Sequence, residues 1–158
     1  LALESLAEIA DYGAKAGIRT CLEPWNRYET YFLNRLDQAL GLAAAVGHDN
    51  LGVMGDSFHM NIEDIDVAGN YRLAADRLFH VHFADSQRAA PGRGHIDFAP
   101  LVQALIEIDY QGYIAFELLP AAADPFATLR SGGGEEFLDA YTELAIKTIK
   151  AVEAEVRT

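Results

Sequence analysis

Cysteine is nearly absent from this chain. Among 158 residues there is one, Cys21, so no internal disulfide can form, which fits a reducing cytoplasm. Positive charge is also scarce: 12 Lys and Arg stand against 24 Asp and Glu, a formal net charge of −12. Nucleic acid and anionic membrane both require a concentrated basic face, so neither is an expected partner. No apolar run reaches the roughly eighteen residues that cross a bilayer, and a basic-then-apolar signal start is missing. There is no low-complexity tract and no internal linker, and the length suits one domain over 1–158 with a substantial core. The chain opens on Leu1 rather than Met, already inside a helical pattern, so a fragment, a processed chain or an incomplete gene model is expected.

What is present is a regular alternation of short apolar runs and helical stretches. Leu3, Leu6, Ala7, Ile9, Ala10 and Ala14 recur at helical spacing opposite Glu4, Glu8, Asp11 and Lys15, with Gly17 as the cap. Ile18 to Leu22 reads as a buried strand, and Pro24 cannot continue it, so Glu23 stands at its C-terminal end. Asn34 is placed to cap a helix running to about Val46. Asn50 to Gly55 is a second strand ending on Asp56, followed by a helix over Glu63 to Ala75 broken near Gly69 and Asn70. Leu78 to Phe83 is a third strand, containing His80 and His82, and the Gly-, Pro- and Arg-rich segment Ala84 to Ile96 is a rim loop. Asp97 can cap a helix over Phe98 to Ile108. Tyr113 to Phe116 is a fourth strand ending on Glu117, and a long amphipathic helix begins near Glu135.

Strand–helix units of about thirty residues imply right-handed crossovers and a parallel sheet, an α/β fold. In such folds polar chemistry collects at the C-terminal ends of the strands. Glu23, Asp56, His82 and Glu117 all fall there, and three carboxylates with one imidazole suit Mn, Mg or Co better than a thiolate zinc site. Taken singly, each of the four reads equally well as a helix cap or a salt-bridge partner. Together, at successive strand ends, they point to one metal site. His80 shares strand parity with His82 but lies a layer deeper, as a hydrogen-bonded interior histidine. Glu29, His59 and Arg88 follow their strands in loops, where Arg88 can reach a substrate oxygen or simply be solvated. Trp25 and Phe58 can wall a sugar face or belong to the core, and Cys21 is a buried strand residue without chemistry.

Four stretches, LEPWNRYET (Leu22 to Thr30), GDSFHMNIED (Gly55 to Asp64), HVHFADSQRAAPGRGHIDF (His80 to Phe98) and GYIAFEL (Gly112 to Leu118), carry a family resemblance. The chain resembles the C-terminal half of the sugar phosphate isomerase/epimerase family of xylose-isomerase-like TIM barrels, within it the D-tagatose and D-psicose 3-epimerase group. The resemblance implies a parallel (β/α)4 half-barrel with metal ligands Glu23, Asp56, His82 and Glu117, and Mn²⁺ as the ion, with Mg²⁺, Co²⁺ and Zn²⁺ as alternatives. It implies a small-molecule sugar or sugar phosphate contacted by Glu29, His59 and Arg88, with Glu23 and Glu117 as the acid/base pair that inverts C3 through an enediolate. Family members have eight strands. Four leave open edges, which are an association hazard, so a homo-oligomer completed by a second copy is expected. Hydroxypyruvate isomerase and inosose dehydratase are the nearest rivals within the fold. A half-barrel that binds metal or sugar without turnover is the rival from another class. An endonuclease of the same superfamily is disfavoured by the acidity and by the lack of further histidine ligands.

Overall fold

Two six-residue strands, Leu51–Asp56 (β2) and Leu78–Phe83 (β3), form the centre of a sheet. The three-residue strands Thr20–Leu22 (β1) and Ile114–Phe116 (β4) form its edges. The structure, a computed structural model, describes residues 1–158. Every neighbouring pair is parallel, and the order in space, β1-β2-β3-β4, is the order in sequence. A doubly wound sheet reverses its direction of growth at a switch point. This one grows one way only, which is the expected (β/α)4 half of a barrel.

Helices Ala2–Lys15 (α1), Leu36–Val46 (α2), Ser57–Glu63 (α3), Val67–Ala74 (α4), Ala99–Glu107 (α5), Pro125–Arg130 (α6) and Glu135–Val156 (α7) alternate with or follow the strands. The core lies between the sheet and this helical layer. Val53, Val81 and Phe83 point outward from the strands onto Leu36, Ala39, Tyr71 and Ala104, all of them fully buried. Val53, Val81, Phe83 and Leu36 each contribute about 1.5–3 kcal/mol on leaving water, and the alanines less. The other face of the sheet carries Met54, Asp56, His80 and His82.

A bulge sets which side chains reach that inner face. Val53 pairs with Leu78 but Met54 pairs with His80, so Phe79 is an extra residue in β3. The extra residue turns Leu78 outward into the core and brings His80 and His82 level with Met54 and Asp56. Gly52 makes the bulge fit: a Cβ there would lie 2.6 Å from the Phe79 ring.

Several boundaries differ from the sequence reading, each for a local reason. β1 starts at Thr20. Asn34 caps no helix; its amide donates to the carbonyls of Trp25 and Thr30 and so ties the β1–α2 loop together. Arg35 precedes α2 instead, and Gln38 Oε1 accepts from its backbone N–H, half of a capping box. The helix expected over 63–75 begins only at Val67, as α4, after α3 has ended at Glu63. The break falls at Asp64 to Asp66, not Gly69, because Asp66 caps α4 by accepting from Gly69 N. α3 starts at Ser57, so His59 lies in a helical first turn rather than a loop. Asp97 accepts from Ala99 N two residues before the start of α5, and α6, which the sequence reading does not include, is capped by Asp124 and opened by Pro125. In α1 only Ala10 is buried; Leu3 and Ile9 of the expected apolar face are exposed. No helix is long and apolar enough to cross a membrane.

Candidate metal and substrate site

Each strand delivers one polar side chain to the same rim. Glu23 follows β1, Asp56 ends β2, His82 lies near the end of β3, and Glu117 follows β4. One ligand-type atom from each lies within 4.8 Å of all the others. His82 Nδ1 is 2.8 Å from Glu117 Oε2, 3.6 Å from Asp56 Oδ2 and 4.0 Å from Glu23 Oε1. The expected set of four therefore converges.

Asp56 shows that the cap and ligand readings are compatible. Its Oδ1 accepts from Phe58 N at 2.9 Å and starts α3, while Oδ2 faces the cluster. Burial works against its ionised form, but His82, Arg88 and His59 outweigh that and hold the carboxyl below its usual range. His82 is pulled the other way. Burial opposes its charge, yet Asp56 and Glu117 favour the imidazolium and raise its pKa.

Glu23 is the anomaly in the cluster. Its Oε1 is buried and has no hydrogen-bond partner. Burial pushes its carboxyl up, and the charges of Asp56 and Glu117 add to the shift. At an effective dielectric near 20, two like charges about 5 Å apart repel by about 3 kcal/mol. An orphaned carboxylate oxygen facing two more carboxylates and an imidazole is the environment that a hard or borderline divalent cation satisfies, so these residues fit such an ion.

Of the three further side chains expected at the site, Arg88 joins the cluster, while His59 and Glu29 lie beside it, held by Asn26. Arg88 donates from Nη1 to Asp56 Oδ2 at 2.7 Å and from Nη2 to Glu117 Oε2, and its guanidinium lies 4.7 Å above the Phe58 ring. It is therefore a buried bridge across the cluster, not a solvated loop arginine. His59 is buried, stacked on Trp25 and edge-on to Phe58. Glu29 is exposed and connects to His59 only through Asn26. Trp25 is exposed and partners the site's polar groups, whereas Phe58 does so while also packing against the apolar cluster around Ala84, Ala90 and Leu118. His80 faces the inner side edge-on to His82, with burial and His82 lowering its pKa, but it makes none of the hydrogen bonds expected of it. Cys21 is half-buried, and burial together with the Glu23 charge raises its thiol pKa, which leaves it unreactive.

Three residues that organise the site escaped the sequence reading. Asn26 is 1% exposed and links Glu29 to His59. Ser57 joins the ends of two strands, its Oγ donating to Ala84 O at 2.7 Å and accepting from Ala84 N at 2.9 Å. Asp85 is fully buried and accepts from the backbone N–H groups of Ser86, Gly92 and Ile96 at 2.8, 2.9 and 3.1 Å. Gly94 N–H joins them, and together the four donors overcome the burial penalty and lower the Asp85 carboxyl. A Cβ on Gly94 would fall on Asp85 Oδ1, so the loop closes only around a glycine. The one signal for these three was position: a small polar residue within four residues of a strand end, where side chains bond the backbone.

The family described as xylose isomerase-like TIM barrel matches residues 1–141. The chain belongs to that family. It is similar to the D-psicose 3-epimerase of Ruminiclostridium cellulolyticum, 32% identical over 151 residues, covering 91% of this chain and 52% of that protein. The L-ribulose 3-epimerase of Methylomonas sp. is 41% identical over 113 residues, 72% of this chain and 40% of the relative. The 3-dehydro-D-guloside 4-epimerase of Escherichia coli is 35% identical over 127 residues, 80% and 48% respectively. A solved L-ribulose 3-epimerase superposes with a TM-score of 0.85 at 31% identity, covering 98% of this chain and 54% of its own. The family member described here thus spans about half the length of the curated relatives it matches. Its relatives are sugar epimerases, and its rim holds a carboxylate–imidazole group suited to a metal.

Proposed function

We propose that residues 1–158 form one unit, the C-terminal, metal-binding half-barrel of a ketose 3-epimerase, and that the unit inverts a carbon next to a ketose carbonyl by removing and returning a proton. The observation that carries this reading is the convergence of Glu23, Asp56, His82 and Glu117 from four successive strand ends around an unpartnered buried oxygen. These four would hold a divalent ion, Mn²⁺ in the first instance and Mg²⁺, Co²⁺ or Zn²⁺ next. When bound, the ion supplies Lewis acidity to the sugar carbonyl and its neighbouring hydroxyl. Glu23 and Glu117, on opposite edges of the sheet, serve as the acid/base pair: the ionised one takes the C3 proton, leaving an enediolate, and the other, protonated beforehand, gives its proton to the opposite face. Arg88, His59 and Glu29 contact the sugar's oxygens. The arginine supplies a fixed positive charge, and the buried histidine is neutral because burial lowers its pKa.

The test is deuterium incorporation at C3 of a ketohexose in deuterated water with Mn²⁺, followed by proton NMR. Exchange that Glu117→Gln abolishes supports the reading; exchange that survives Glu117→Gln sinks the assigned acid/base pair. The non-catalytic reading has one specific observation in its favour, the 48% exposure of the Glu117 side chain. It wins if Mn²⁺ binds normally and no ketose exchanges. We further propose a homo-oligomer through the β1 and β4 edges, in a cytoplasmic setting. A stable monomer in sedimentation without exposed apolar surface overturns the association.

A further inference from the structure

We infer that Asn26 is a positioning residue: it sets the tautomer of His59 and aims Glu29, so that one buried amide presents two substrate-facing groups in complementary hydrogen-bonding states. The orientation of the amide is fixed by the backbone. Asn26 Oδ1 accepts from Tyr28 N at 3.0 Å, and a backbone N–H can only donate, so Nδ2 is the donor end. Nδ2 spends its two hydrogens on Glu29 Oε1 at 2.7 Å and His59 Nδ1 at 2.9 Å. The Asn26 backbone N–H also reaches His59 Nδ1, at 3.2 Å. Two donors on one ring nitrogen leave it no proton of its own, so His59 carries its hydrogen on Nε2. That Nε2–H has no acceptor in the protein and is not sealed from solvent. The ring stands edge-on to Phe58, 5.3 Å between centroids, and the Arg88 guanidinium lies over that same phenyl ring, which locates His59 beside the cluster.

The result is a division of labour. His59 offers the sugar a donor and no acceptor, whereas Glu29, pinned by one oxygen, keeps the other free to accept. A hydroxyl between them can receive from one and give to the other, an orientation that a freely switching imidazole would not impose. The part concerning sugar rests on the epimerase reading; the tautomer does not.

The experiment is long-range nitrogen–proton NMR on the metal-free, histidine-labelled chain. The signals of its five histidines are assigned to His59 by their loss in His59→Gln. The expected result is a single Nε2–H form with Nδ1 unprotonated. In Asn26→Asp the new carboxylate faces Nδ1 and favours a proton there, so the Nδ1–H form or the imidazolium replaces it. An Nδ1–H form or a tautomer mixture in the unaltered chain overturns the inference, as does an unchanged tautomer in Asn26→Asp. Should Asn26→Asp not fold, the unaltered chain alone decides. In the C3 exchange assay, Asn26→Asp is expected to raise KM about ten- to a hundredfold with a smaller fall in kcat. An unchanged KM with a reduced kcat counts against positioning. Absence of turnover in the unaltered chain counts against the epimerase reading, while His59's tautomer still decides this one.

Discussion

Asp85→Ala removes an acceptor that serves four backbone donors at once, from Ser86, Gly92, Gly94 and Ile96. A hydrogen bond to a charged group is worth about 1.5–3 kcal/mol net. Gly92 and Gly94 are exposed, so water replaces part of what their N–H groups lose. The expected cost is therefore about 3–5 kcal/mol rather than the full sum. The backbone adds a second effect. Arg88 sits at φ 64°, a left-handed conformation held by Arg88 N donating to Asp85 O and Asp85 N donating to Ala89 O, both at 2.8 Å. That conformation costs a non-glycine residue about 1–2 kcal/mol, so once the anchor is gone the loop relaxes and withdraws Arg88 from Asp56 and Glu117. Urea unfolding monitored by circular dichroism reads the first effect, and the C3 exchange rate reads the second. The folded-state pKa of Asp85 lies below its unfolded value near 4, so its stabilisation is present above that value and lost as pH falls through the folded one. The variant should accordingly show a flatter acid limb. A loss below about 1 kcal/mol with an unchanged acid limb would refute the anchoring role.

Ser57→Ala leaves the buried N–H and C=O of Ala84 without their side-chain partner, and a loss of about 2 kcal/mol in urea unfolding is expected; a neutral result would mean water replaces the hydroxyl. Burial raises the Asp64 carboxyl from 3.8 to about 6. The folded state therefore binds more protons than the unfolded one between those values, and stability should fall as pH rises from 4 to 6, by at most about 3 kcal/mol. Asp64→Asn should remove that slope, and a slope persisting in the variant assigns it to another group. Mn²⁺ at one hundred times its dissociation constant should stabilise the chain by about 2.7 kcal/mol, seen as a higher midpoint in thermal unfolding. Glu23→Gln should abolish that gain while raising the midpoint of the metal-free chain, because it removes a charge that is buried without a partner. Metal stabilisation retained by the variant would exclude Glu23 as a ligand.

The fold and the site were legible in the sequence to different depths. Strand ends could be read directly, because an apolar run stops at a polar residue for local reasons: Pro24 bars continuation after Glu23, and Asp56 serves as the cap of the helix that follows. Sequential strand–helix units then left little choice but a parallel sheet with Glu23, Asp56, His82 and Glu117 on one rim. Helix boundaries near Asp64 and Asn34 were misread because the deciding partners, such as Trp25 O for Asn34, belong to segments with no pattern of their own.

Only the tertiary structure decided the rest. The bulge at Phe79 depends on a gap above Gly52, a residue 27 positions earlier, and no periodicity records that vacancy. The hydrogen on His59 depends on Asn26, 33 positions away. Arg88 lies across two carboxylates because Asp85 folds its loop around four N–H groups, one of them as far along as Ile96. Residue type and spacing determine which groups stand at the rim. The proton each holds, and the partner it faces, are set by contacts between elements that the chain places far apart.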